Sequence, residues 1–367
     1  MKIVFAAGGT GGHILPALSV ADELRARASG LKALFVGTRS GLEGRLVSAA
    51  GYEIRYISAK GVRGRGAAAR IRGAASIAVG FFQSLALLRR FKPDVVYGSG
   101  GYASAAVVLA ASCLRRRIVI QEQNSIPGLT NRLLARHARR IYLGFEKAST
   151  YFGNHRGLVV TGNPLRAEIV SSGPVDLRAE FGLEGEGPVL LVFGGSQGAR
   201  TLNRAAAEYL LVHPGTRAII QTGDRDYASM RERLGALAGR VCVRPYFEAM
   251  HRAYAAATVC LSRAGALTIS ELAAAAVPSI LVPYPYAADD HQSYNASFLA
   301  EAGGAIVIRD SDLTKDTLAS ALEALLADPA RLAAMRSALG RAARKDAAGI
   351  IAGDVLAVAS AGRGTGA

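Results

Sequence analysis

The stretch "KIVFAAGGTGGHILPALSV" (residues 2–20) joins a short apolar run to four glycines and a histidine, and then continues as an apolar, helix-like segment. A second stretch, "LLVFGGSQGAR" (190–200), repeats the order of apolar run and glycine loop. A strand that passes through a glycine turn into a helix is the repeating unit of doubly wound parallel sheets. Two such openings in one chain predict two Rossmann-like domains, each binding its ligand where the strands end.

Further apolar runs alternate with Ala- and Leu-rich helical patterns along the chain. They predict five buried strands in the first half and four in the second. The predicted strands are "KIVFAA", "KALFVG", "DVVYG", "RIVIQE" and "RIYLGF", followed by "PVLLVFGG", "RAIIQTG", "TVCLSR" and "PSILVPY". Strands that alternate with helices favour an α/β fold with parallel sheets.

A Gly- and Pro-rich stretch near the middle of the chain interrupts this alternation and predicts a connection between domains. We therefore expect an N-terminal domain at residues 1–162, a linker at 163–187 and a C-terminal domain at 188–340. Residues 341–367 are predicted to form a last helix followed by a frayed tail.

The formal net charge of +16 is concentrated in the first half of the chain. Through Gly162 there are 24 lysines and arginines against 7 acidic residues, and afterwards 20 against 21. This asymmetry indicates an anionic partner for the first half, such as nucleic acid, anionic lipid or a phosphorylated substrate. Nucleic acid is disfavoured, because the sequence has no recognised nucleic-acid motif and no interleaved aromatic residues.

Apolar segments give information about the compartment. None reaches the ~20 residues that a membrane-spanning helix needs, and the "IVFAA" run is too short for a secretory signal. The cysteines Cys113, Cys242 and Cys260 lie in apolar segments without the spacing of metal ligands. They are predicted to be buried, reduced thiols in a cytosolic chain.

The first glycine loop, "GGTGGH" (8–13), does not match the dinucleotide fingerprint, because Ile14 stands where the third glycine would fall. It also lacks the G-K-[ST] of a P-loop, and the next strand ends without an acidic residue for a ribose. NAD binding is therefore disfavoured. A glycine turn before a helix still favours a phosphate ligand, although a purely structural tight turn is the alternative.

The second glycine loop, "GGSQG" (194–198), also matches the G-x-S-x-G elbow of α/β hydrolases. In that interpretation Ser196 is a nucleophile and His251 or His291 its base. It leaves the first loop and "GSGGYAS" (98–104) without a role, whereas phosphate binding gives all three loops the same role.

Two further motifs have ordinary structural explanations. "DRD" (224–226) could be a D-x-D metal pair, but a turn or helix cap is the common use of such aspartates. Thr268 and Glu271 have the spacing of a capping box. Glu271 could equally accept hydrogen bonds from ribose hydroxyls, and the spacing does not decide between these roles.

Taken together, the motifs resemble the MurG family of bacterial N-acetylglucosaminyltransferases, which belongs to glycosyltransferase family 28. The matching segments run along nearly the whole chain and are "GGTGGH" (8–13), "GSGGYAS" (98–104), "EQNSIPGLTNRLLA" (122–135), "GNPLR" (162–166), "GGSQGAR" (194–200), "SRAGALTISELAA" (262–274) and "DDHQSYNA" (289–296). The resemblance implies a GT-B fold, in which two Rossmann-like domains face each other across a cleft and a C-terminal helix returns to the N-domain.

The resemblance also implies a reaction. The enzyme would be a hexosyltransferase that moves N-acetylglucosamine from UDP-GlcNAc to the C4 hydroxyl of MurNAc in undecaprenyl-diphosphate-MurNAc-pentapeptide (lipid I), giving lipid II for peptidoglycan. Inversion at the sugar implies one in-line displacement, which needs a base and a stabilised diphosphate. No cofactor and no bound metal is expected at the donor site. The implied location is peripheral, on the cytoplasmic face of the inner membrane, where cell-wall synthesis proteins are further expected partners.

Family positions carry over residue by residue. Arg166 matches a diphosphate contact, Glu271 lies in the uridine-ribose segment and Gln292 matches the glutamine that binds the GlcNAc hydroxyls. Gly100 and Tyr102 are assigned to the acceptor side. The complete set of positions implied for UDP-GlcNAc is Thr10, Gly11, Gly12, Asn124, Arg166, Ser196, Phe247, Ala266, Leu267, Thr268, Glu271, Gln292 and Asn295.

His13 is the first candidate for the catalytic base. Many members of the family have a histidine where this chain has Gln121, which excludes a base at that position. We expect His13 at a helix start, with Pro16 in the first turn, where the positive helix end keeps the imidazole neutral. Glu122 is the rival base, and an orienting role for His13 is the alternative. His291 replaces a glutamine of some members and could bind the sugar.

Residues 60–92 are predicted to dock on an anionic membrane, because arginines accompany an apolar stripe at helical spacing. The stripe includes Phe82, Leu85 and Leu88. A core helix packed on the sheet explains the stripe equally well but does not explain the arginines. The arginines assigned to the membrane are Arg63, Arg65, Arg70 and Arg72.

Overall fold

Parallel sheets dominate the computed structural model, which describes residues 1–39, 42–59, 67–171, 173–195 and 197–361, without the side chains of residues 67–72 and 74. The described chain forms two compact units. The first unit is Met1–Arg166 together with the C-terminal segment from Arg344, and the second is Ala167–Ala343. The α/β class predicted from the sequence is confirmed.

Strands and helices alternate along both units. The strands are β1 (Lys2–Ala6), β2 (Lys32–Gly37), β3 (Glu53–Tyr56), β4 (Val95–Gly98), β5 (Arg117–Glu122), β6 (Arg140–Leu143), β7 (Leu158–Val160), β8 (Val189–Phe193), β9 (Arg217–Gln221), β10 (Val241–Arg244), β11 (Val259–Ser262), β12 (Ser279–Leu281) and β13 (Ala305–Val307). The helices are α1 (Gly11–Arg27), α2 (Glu43–Ala49), α3 (Ala67–Phe91), α4 (Gly101–Cys113), α5 (Leu129–Leu134), α6 (Ala167–Val170), α7 (Leu177–Phe181), α8 (Arg200–Val212), α9 (Asp224–Arg233), α10 (Met250–Ala256), α11 (Ala266–Ala274), α12 (His291–Glu301), α13 (Lys315–Leu326), α14 (Pro329–Ala342) and α15 (Ala347–Ser360).

The first unit contains a seven-stranded sheet in the order β3-β2-β1-β4-β5-β6-β7. All its neighbouring strands pair in parallel. The strand order reverses at β1 and β4, and ligands of such sheets bind beside the carboxyl ends of the strands at this switch point. The first and third glycine loops follow these two strands.

Helices cover both faces of the first sheet. One apolar core lies between the sheet and α3 and α4, and includes Val96, Val107 and Ile120. The other lies under α1 and α15, and includes Phe5 and Val355. Continuous burial on both faces explains why the inner strands are unbroken apolar runs.

The last helix, α15, belongs to the first unit, as the resemblance to the GT-B fold implies. The Asp354 carboxylate accepts hydrogen bonds from Arg140 Nε at 3.0 Å and from Tyr142 Oη at 2.9 Å. Burial raises the pKa of the Tyr142 hydroxyl well above its usual value, and Asp354 adds to this. Arg27 Nη1 donates to the Gly349 carbonyl at 2.9 Å. These bonds and the apolar core fasten α15 to α1 and to the sheet.

The second unit contains a six-stranded parallel sheet in the order β10-β9-β8-β11-β12-β13. Strand β8 has the position in this sheet that β1 has in the first. Its core includes Leu202, Leu261 and Leu318, which come from α8, β11 and α13. The second glycine loop therefore lies at the switch point of its own sheet.

The strands at the sheet edges are the ones that the sequence does not predict. The nine predicted strands are the inner strands of the two sheets, and the four others, β3, β7, β10 and β13, are the sheet edges. The edge strands are only partly buried. A strand covered on fewer sides needs fewer apolar residues, so it leaves a weaker pattern in the sequence.

The segment predicted as a linker, residues 163–187, contributes to both units. The first unit ends at Arg166, and the short helices α6 and α7 belong to the second. Asp176 caps α7 by accepting from the backbone N–H groups of Arg178 and Ala179 at 3.0 and 3.1 Å. Residues 362–367, expected to be a frayed tail, lie outside the described residues.

The cysteines differ in burial. Cys260 is buried and Cys242 is partly buried, but Cys113 is exposed at the end of α4. The prediction of a buried thiol is therefore wrong for Cys113, which is the last residue of α4. Burial raises the pKa of the Cys242 and Cys260 thiols. In the part of the chain that the structure describes, no helix combines the length and apolar character needed to cross a bilayer.

Candidate active site

The first glycine loop connects β1 to α1 and has no side-chain cap at the helix start. Thr10 is the N-cap residue, but its side chain makes no capping hydrogen bond, and the first turn contains no acidic residue. Gly9 and Thr10 are exposed. Gly9 has φ +94°, a conformation that side chains rarely adopt. Backbone N–H groups at this positive helix end are therefore suited to an anionic ligand.

His13 is the third residue of α1, and its hydrogen bond fixes its tautomer. Its Nδ1 lies 3.1 Å from the Gly8 carbonyl oxygen. Since a carbonyl oxygen can only accept, Nδ1 carries the proton and the neutral ring keeps its lone pair on Nε2. His13 therefore presents a proton acceptor at Nε2.

Burial lowers the pKa of His13 below 6.5, although the bond to Gly8 and the charge of Glu43 act in the opposite direction. The ring is therefore neutral at neutral pH, as a base must be before it accepts a proton. Pro16 is the sixth residue of α1 rather than part of its first turn, so that prediction is wrong. Pro16 cannot donate a backbone hydrogen bond to the Gly12 carbonyl.

The third glycine loop approaches His13 from β4. A side chain at Gly100 would place its Cβ 3.1 Å from His13 Nε2, and Gly100 has φ +99°. A Cβ at Gly101 would lie 2.6 Å from the same Gly8 carbonyl that binds the histidine. Ser99 Oγ donates to the His13 carbonyl at 2.6 Å. Glycine at both positions therefore avoids crowding of the His13 ring and of the carbonyl that binds it.

Glu122 ends β5 and is 1% exposed. Its two oxygens accept four hydrogen bonds, from the backbone N–H groups of Asn124 and Gly128 and from the side-chain amides of Asn124 and Asn131. Burial raises the pKa of the Glu122 carboxyl, while these bonds act against the rise. A carboxylate surrounded by donors of its own loop suits a positioning role better than that of a base.

Gln121 is fully buried and does not reach the surface. Tyr97 Oη donates to Gln121 Oε1 at 2.9 Å, and Gln123 Nε2 donates to the Ser99 carbonyl at 3.0 Å. Burial raises the pKa of Tyr97 well above its usual value. The buried side chains of Gln121 and Gln123 thus support the loops around His13.

Other predicted positions of the first unit lie around these loops. Asn124 is partly buried and its amide is turned toward Glu122, at 3.3 Å. Tyr102 stands in the first turn of α4 and packs partly against the core. Arg166 is partly buried at the end of the unit.

The second glycine loop follows β8, and Ser196 lies outside the described residues. Gln221, at the end of β9, donates from Nε2 to the Gly195 carbonyl at 3.1 Å. A Cβ at Gly198, which has φ +73°, would collide with the Thr222 carbonyl oxygen. The loop is therefore held tightly against β9.

Phe247 is joined to the same glutamine. Its backbone N–H donates to Gln221 Oε1 at 2.8 Å. Its ring packs edge-on against Phe181 at 5.9 Å and under the Arg244 guanidinium at 5.3 Å. Gln221 thus links the second glycine loop to Phe247, one of the positions implied for UDP-GlcNAc.

Thr268 and Glu271 do not form a capping box, which was one of the two roles that their spacing left open. Helix α11 begins earlier, with Gly265 as N-cap and no side-chain cap bond. Glu271 lies in the second turn, where its Oε2 accepts from Tyr254 Oη at 2.8 Å. Ala266, Leu267 and Thr268 form the first turn. With the capping role excluded, Glu271 is available as a fixed carboxylate beside a helix start.

Gln292 is oriented by the backbone. Its Oε1 accepts from the N–H groups of Ala264 at 3.2 Å and Tyr284 at 2.9 Å. The amide nitrogen therefore points away from these groups, which leaves it as the donor for a ligand. Asn295 is fully buried and donates to the Ala264 carbonyl at 3.2 Å. The structure gives Asn295 a supporting role for this turn.

His291 begins α12, and its Nδ1 donates to the Ala288 carbonyl at 2.7 Å. It follows Asp289 and Asp290, both in the left-handed region with φ +53° and +52°. This turn places His291 next to Gln292 at the helix start.

The "DRD" aspartate Asp226 has protein partners. Asn203 Nδ2 donates to Asp226 Oδ2 at 3.0 Å, and Arg200 Nε lies 3.4 Å from Oδ1. Across the described residues, no group of three His, Cys, Asp or Glu side chains is placed to hold a metal ion.

The predicted membrane residues are described only in part. Arg63 and Arg65 lie outside the described residues, and the side chains of Arg70 and Arg72 are not described. Phe82 is 67% exposed on α3, whereas Leu88 is buried in the core. The predicted stripe therefore splits into an exposed face and a core face.

Sequence reasoning missed the residues that support the loops. They are Glu43, Ser99, Gln123, Asn131 and Gln221. Gln123 and Asn131 fall inside a quoted family segment, and Gln221 ends a predicted strand, so polar residues at strand ends were the available indication. Glu43 stands apart from every motif, and only the fold brings it to the first loop.

Comparisons with known proteins cover both units. Residues 3–143 match the glycosyltransferase family 28 N-terminal domain, and residues 189–350 match the glycosyltransferase family 28 C-terminal domain. A transferase of Symbiobacterium thermophilum is 42% identical over 365 residues, covering 99% of this chain and 98% of that protein. One of Geotalea daltonii is 41% identical over 358 residues, covering 96% of each. Both are named UDP-N-acetylglucosamine–N-acetylmuramyl-(pentapeptide) pyrophosphoryl-undecaprenol N-acetylglucosamine transferase.

Solved structures agree with this. The crystal structure of Acinetobacter baumannii MurG superposes with a TM-score of 0.75 at 28% identity, covering 97% of this chain and 99% of that one. A UDP-GlcNAc 2-epimerase from Neisseria meningitidis gives a TM-score of 0.68 at 13% identity, covering 97% and 100%, which shows a shared fold alone. The chain therefore belongs to glycosyltransferase family 28, with the GT-B fold, and to the N-acetylglucosamine transferases of that family.

Proposed function

We propose that this protein transfers N-acetylglucosamine from UDP-GlcNAc to the C4 hydroxyl of the lipid-linked MurNAc-pentapeptide, with inversion, to give lipid II. The names of relatives at about 40% identity over nearly the full length support the two substrates. The observation that supports the chemistry is the hydrogen bond from His13 Nδ1 to the Gly8 carbonyl, which leaves the lone pair of the neutral ring on Nε2.

His13 acts as the base in this proposal. Nε2 accepts the proton of the attacking C4 hydroxyl, while the oxygen of that hydroxyl forms a bond to the anomeric carbon of GlcNAc. The bond from that carbon to the diphosphate oxygen breaks, and UDP leaves with the electron pair. The protonated imidazole returns its proton to solvent after product release. Glu122 holds the loop beside it through the hydrogen bonds described above.

Donor recognition is assigned to residues that the fold holds in place. Glu271 accepts from the ribose hydroxyls, and the Gln292 amide nitrogen donates to the sugar hydroxyls. Arg166 and the backbone N–H groups at the glycine loops stabilise the charge of the departing diphosphate. No metal ion has a role in this proposal.

The test is UDP release from UDP-GlcNAc in the presence of a lipid I analogue, with and without a chelator. We expect UDP release that depends on the acceptor and persists with the chelator. Release without acceptor, or formation of the 2-epimeric sugar, would contradict transfer. Labelling of Ser196 by a fluorophosphonate probe would instead support hydrolase chemistry.

The proposed location is the cytoplasmic face of the inner membrane, where the protein is peripherally bound. Val79 and Phe82 are 49% and 67% exposed on α3, and Arg89 and Arg90 are exposed farther along the same helix. Positions 79, 82 and 89 share one helix face. An apolar face with adjacent arginines suits an anionic bilayer surface.

Vesicle binding of the full chain tests this location. Phe82→Ser should weaken binding to anionic phospholipid vesicles at least several-fold, and added salt should weaken binding of the unchanged protein. Val212→Ser is the control, because Val212 is 58% exposed on α8 of the second unit. Equal loss in both variants would contradict docking through α3.

A further inference from the structure

Glu43 is a buried carboxylate without a partner of opposite charge. It is the first residue of α2 and is 1% exposed. Among the described residues, no lysine, arginine or histidine lies within 4.0 Å of its oxygens. A buried charge without such a partner is costly and needs hydrogen bonds. Its surroundings therefore indicate what it does.

The first oxygen of Glu43 bonds to the loop before α1. The Gly9 N–H donates to Oε1 at 2.9 Å, and Thr38 donates to the same oxygen from its backbone N–H at 3.3 Å and from its hydroxyl at 3.2 Å. The glycine loop is thus tied to the end of β2 through one carboxylate. The second oxygen, Oε2, is buried and has no hydrogen-bond partner among the described residues.

Two glycines make room for this side chain. A Cβ at Gly37 would lie 2.8 Å from Glu43 Cγ, and a Cβ at Gly8 would lie 3.2 Å from Oε1. Gly8 is also the residue whose carbonyl binds His13. Glu43 and His13 therefore bond to consecutive residues of one loop, which couples the carboxylate to the proposed base.

We propose that Glu43 is a positioning residue, which fixes the first glycine loop through the Gly9 N–H and keeps a negative charge near His13. The second half of this proposal rests on the proposed function, in which His13 is the base. A negative charge stabilises the imidazolium that forms when His13 accepts the proton. Glu43 thus offsets part of the effect of burial, which lowers the pKa of His13.

Other ionisable groups lie on the elements around His13. Tyr97 is on β4, Tyr102 is at the start of α4 and Glu122 ends β5. Helix α15 packs on α1 and carries Asp354, which is bound to Arg140 and Tyr142. Glu122 accepts its hydrogen bonds from its own loop, so a change at Glu43 leaves this second carboxylate in place.

Two variants separate the roles of Glu43. Glu43→Gln keeps an oxygen acceptor for Gly9 but removes the charge, whereas Glu43→Asp keeps the charge but shortens the reach to Gly9.

Each folded variant is titrated by NMR with labelled histidine, and the His13 signal is assigned from its loss in His13→Asn. Initial rates of UDP release with the lipid I analogue are measured from pH 5 to 8. Glu23→Gln is the control, because Glu23 is an exposed carboxylate on α1 that pairs with Arg27.

In Glu43→Gln we expect the His13 titration to move to lower pH by about half a unit to one unit, and the acid limb of kcat/KM to move with it. In Glu43→Asp we expect little movement of the titration but a KM raised several-fold. An unmoved titration in Glu43→Gln overturns the charge half of the proposal, and an unchanged KM in Glu43→Asp overturns the loop-fixing half. A titration that moves while the acid limb stays supports the assignment of Glu43 and contradicts His13 as the base. If either variant fails to fold, the other still tests its half of the proposal.

Discussion

The first and second glycine loops occupy equivalent places in their sheets but are held by different chemistry. The loop after β1 is tied down by a carboxylate, Glu43, and carries His13. The loop after β8 is tied down by a neutral amide, Gln221, and the neighbouring turn by the amides of Gln292 and Asn295. The support of the first loop is thus ionisable, and that of the second loop is a neutral amide. In the proposed function, one βα arrangement serves proton transfer in the first unit and donor recognition in the second.

The largest expected effect comes from removing the base from the first loop. His13→Ala should lower kcat by about 100-fold or more, because general-base catalysis contributes roughly that factor. Gln292→Ala, in the second unit, should instead raise the KM for UDP-GlcNAc with a smaller effect on kcat. Steady-state rates of UDP release with varied donor concentration measure both.

Both variants need a folding check by circular dichroism before their rates are compared. A His13→Ala enzyme with near-normal kcat would remove His13 from the role of base. Equal losses of kcat in the two variants would contradict the proposed difference in role between His13 and Gln292.

Stability provides the second comparison. Gly9 and Gly198 both have positive φ, but a Cβ at Gly9 would meet nothing within 4 Å, whereas one at Gly198 would strike the Thr222 carbonyl. Gly9→Ala should cost about 1–2 kcal/mol, from backbone strain alone. Gly198→Ala should cost about 2 kcal/mol more, because strain and overpacking add. Denaturant unfolding measures both, and equal midpoints would show that the second loop is less tightly packed than the structure indicates.

The pH profile gives the smallest but most specific difference. Because burial lowers the pKa of His13 below 6.5, its neutral form persists at pH 6.5, and kcat/KM should fall only at lower pH. The unfolded chain binds the proton more readily, so this residue also makes stability decline as pH falls below about 6.5. Affinity for UDP-GlcNAc, measured by calorimetry, should change little between pH 6 and 8. An acid limb above pH 6.5 would contradict a neutral, partly buried His13.

The sequence predicted the inner strands and the glycine loops, because both depend on local residue types. Burial on two faces demands continuous apolar runs, and tight turns before helices demand glycine. The edge strands β3, β7, β10 and β13 were not predicted, because a partly exposed strand does not need a continuous apolar run. The capping box, one of the two roles that the spacing left open for Thr268 and Glu271, does not form for another reason. Its spacing fits a helix start, but the chain already turns helical at Ala266.

The candidate site was predictable only where a residue lies in a glycine loop or a recognisable motif. His13, Glu271 and Gln292 were predicted in this way, and their roles stay predictions. Glu43 and Gln221 were not, because their contacts join residues 34 and 26 positions apart. The pairing of strands decides such contacts, and no local pattern records it. Asn295 was also predicted from its motif to contact the donor; it is fully buried and bonds to the Ala264 carbonyl, and its ligand contact stays a prediction.

Helix α15 has a consequence for the order in which the protein is completed during synthesis. Ile351 and Val355 belong to the apolar core beneath α1, so the first unit lacks part of its core until these residues have been made. Domains usually fold from the N-terminus as the ribosome advances. Here the second unit is fully synthesised before the first can close. The helix that carries His13 is thus packed in part by residues that are synthesised after the whole second unit.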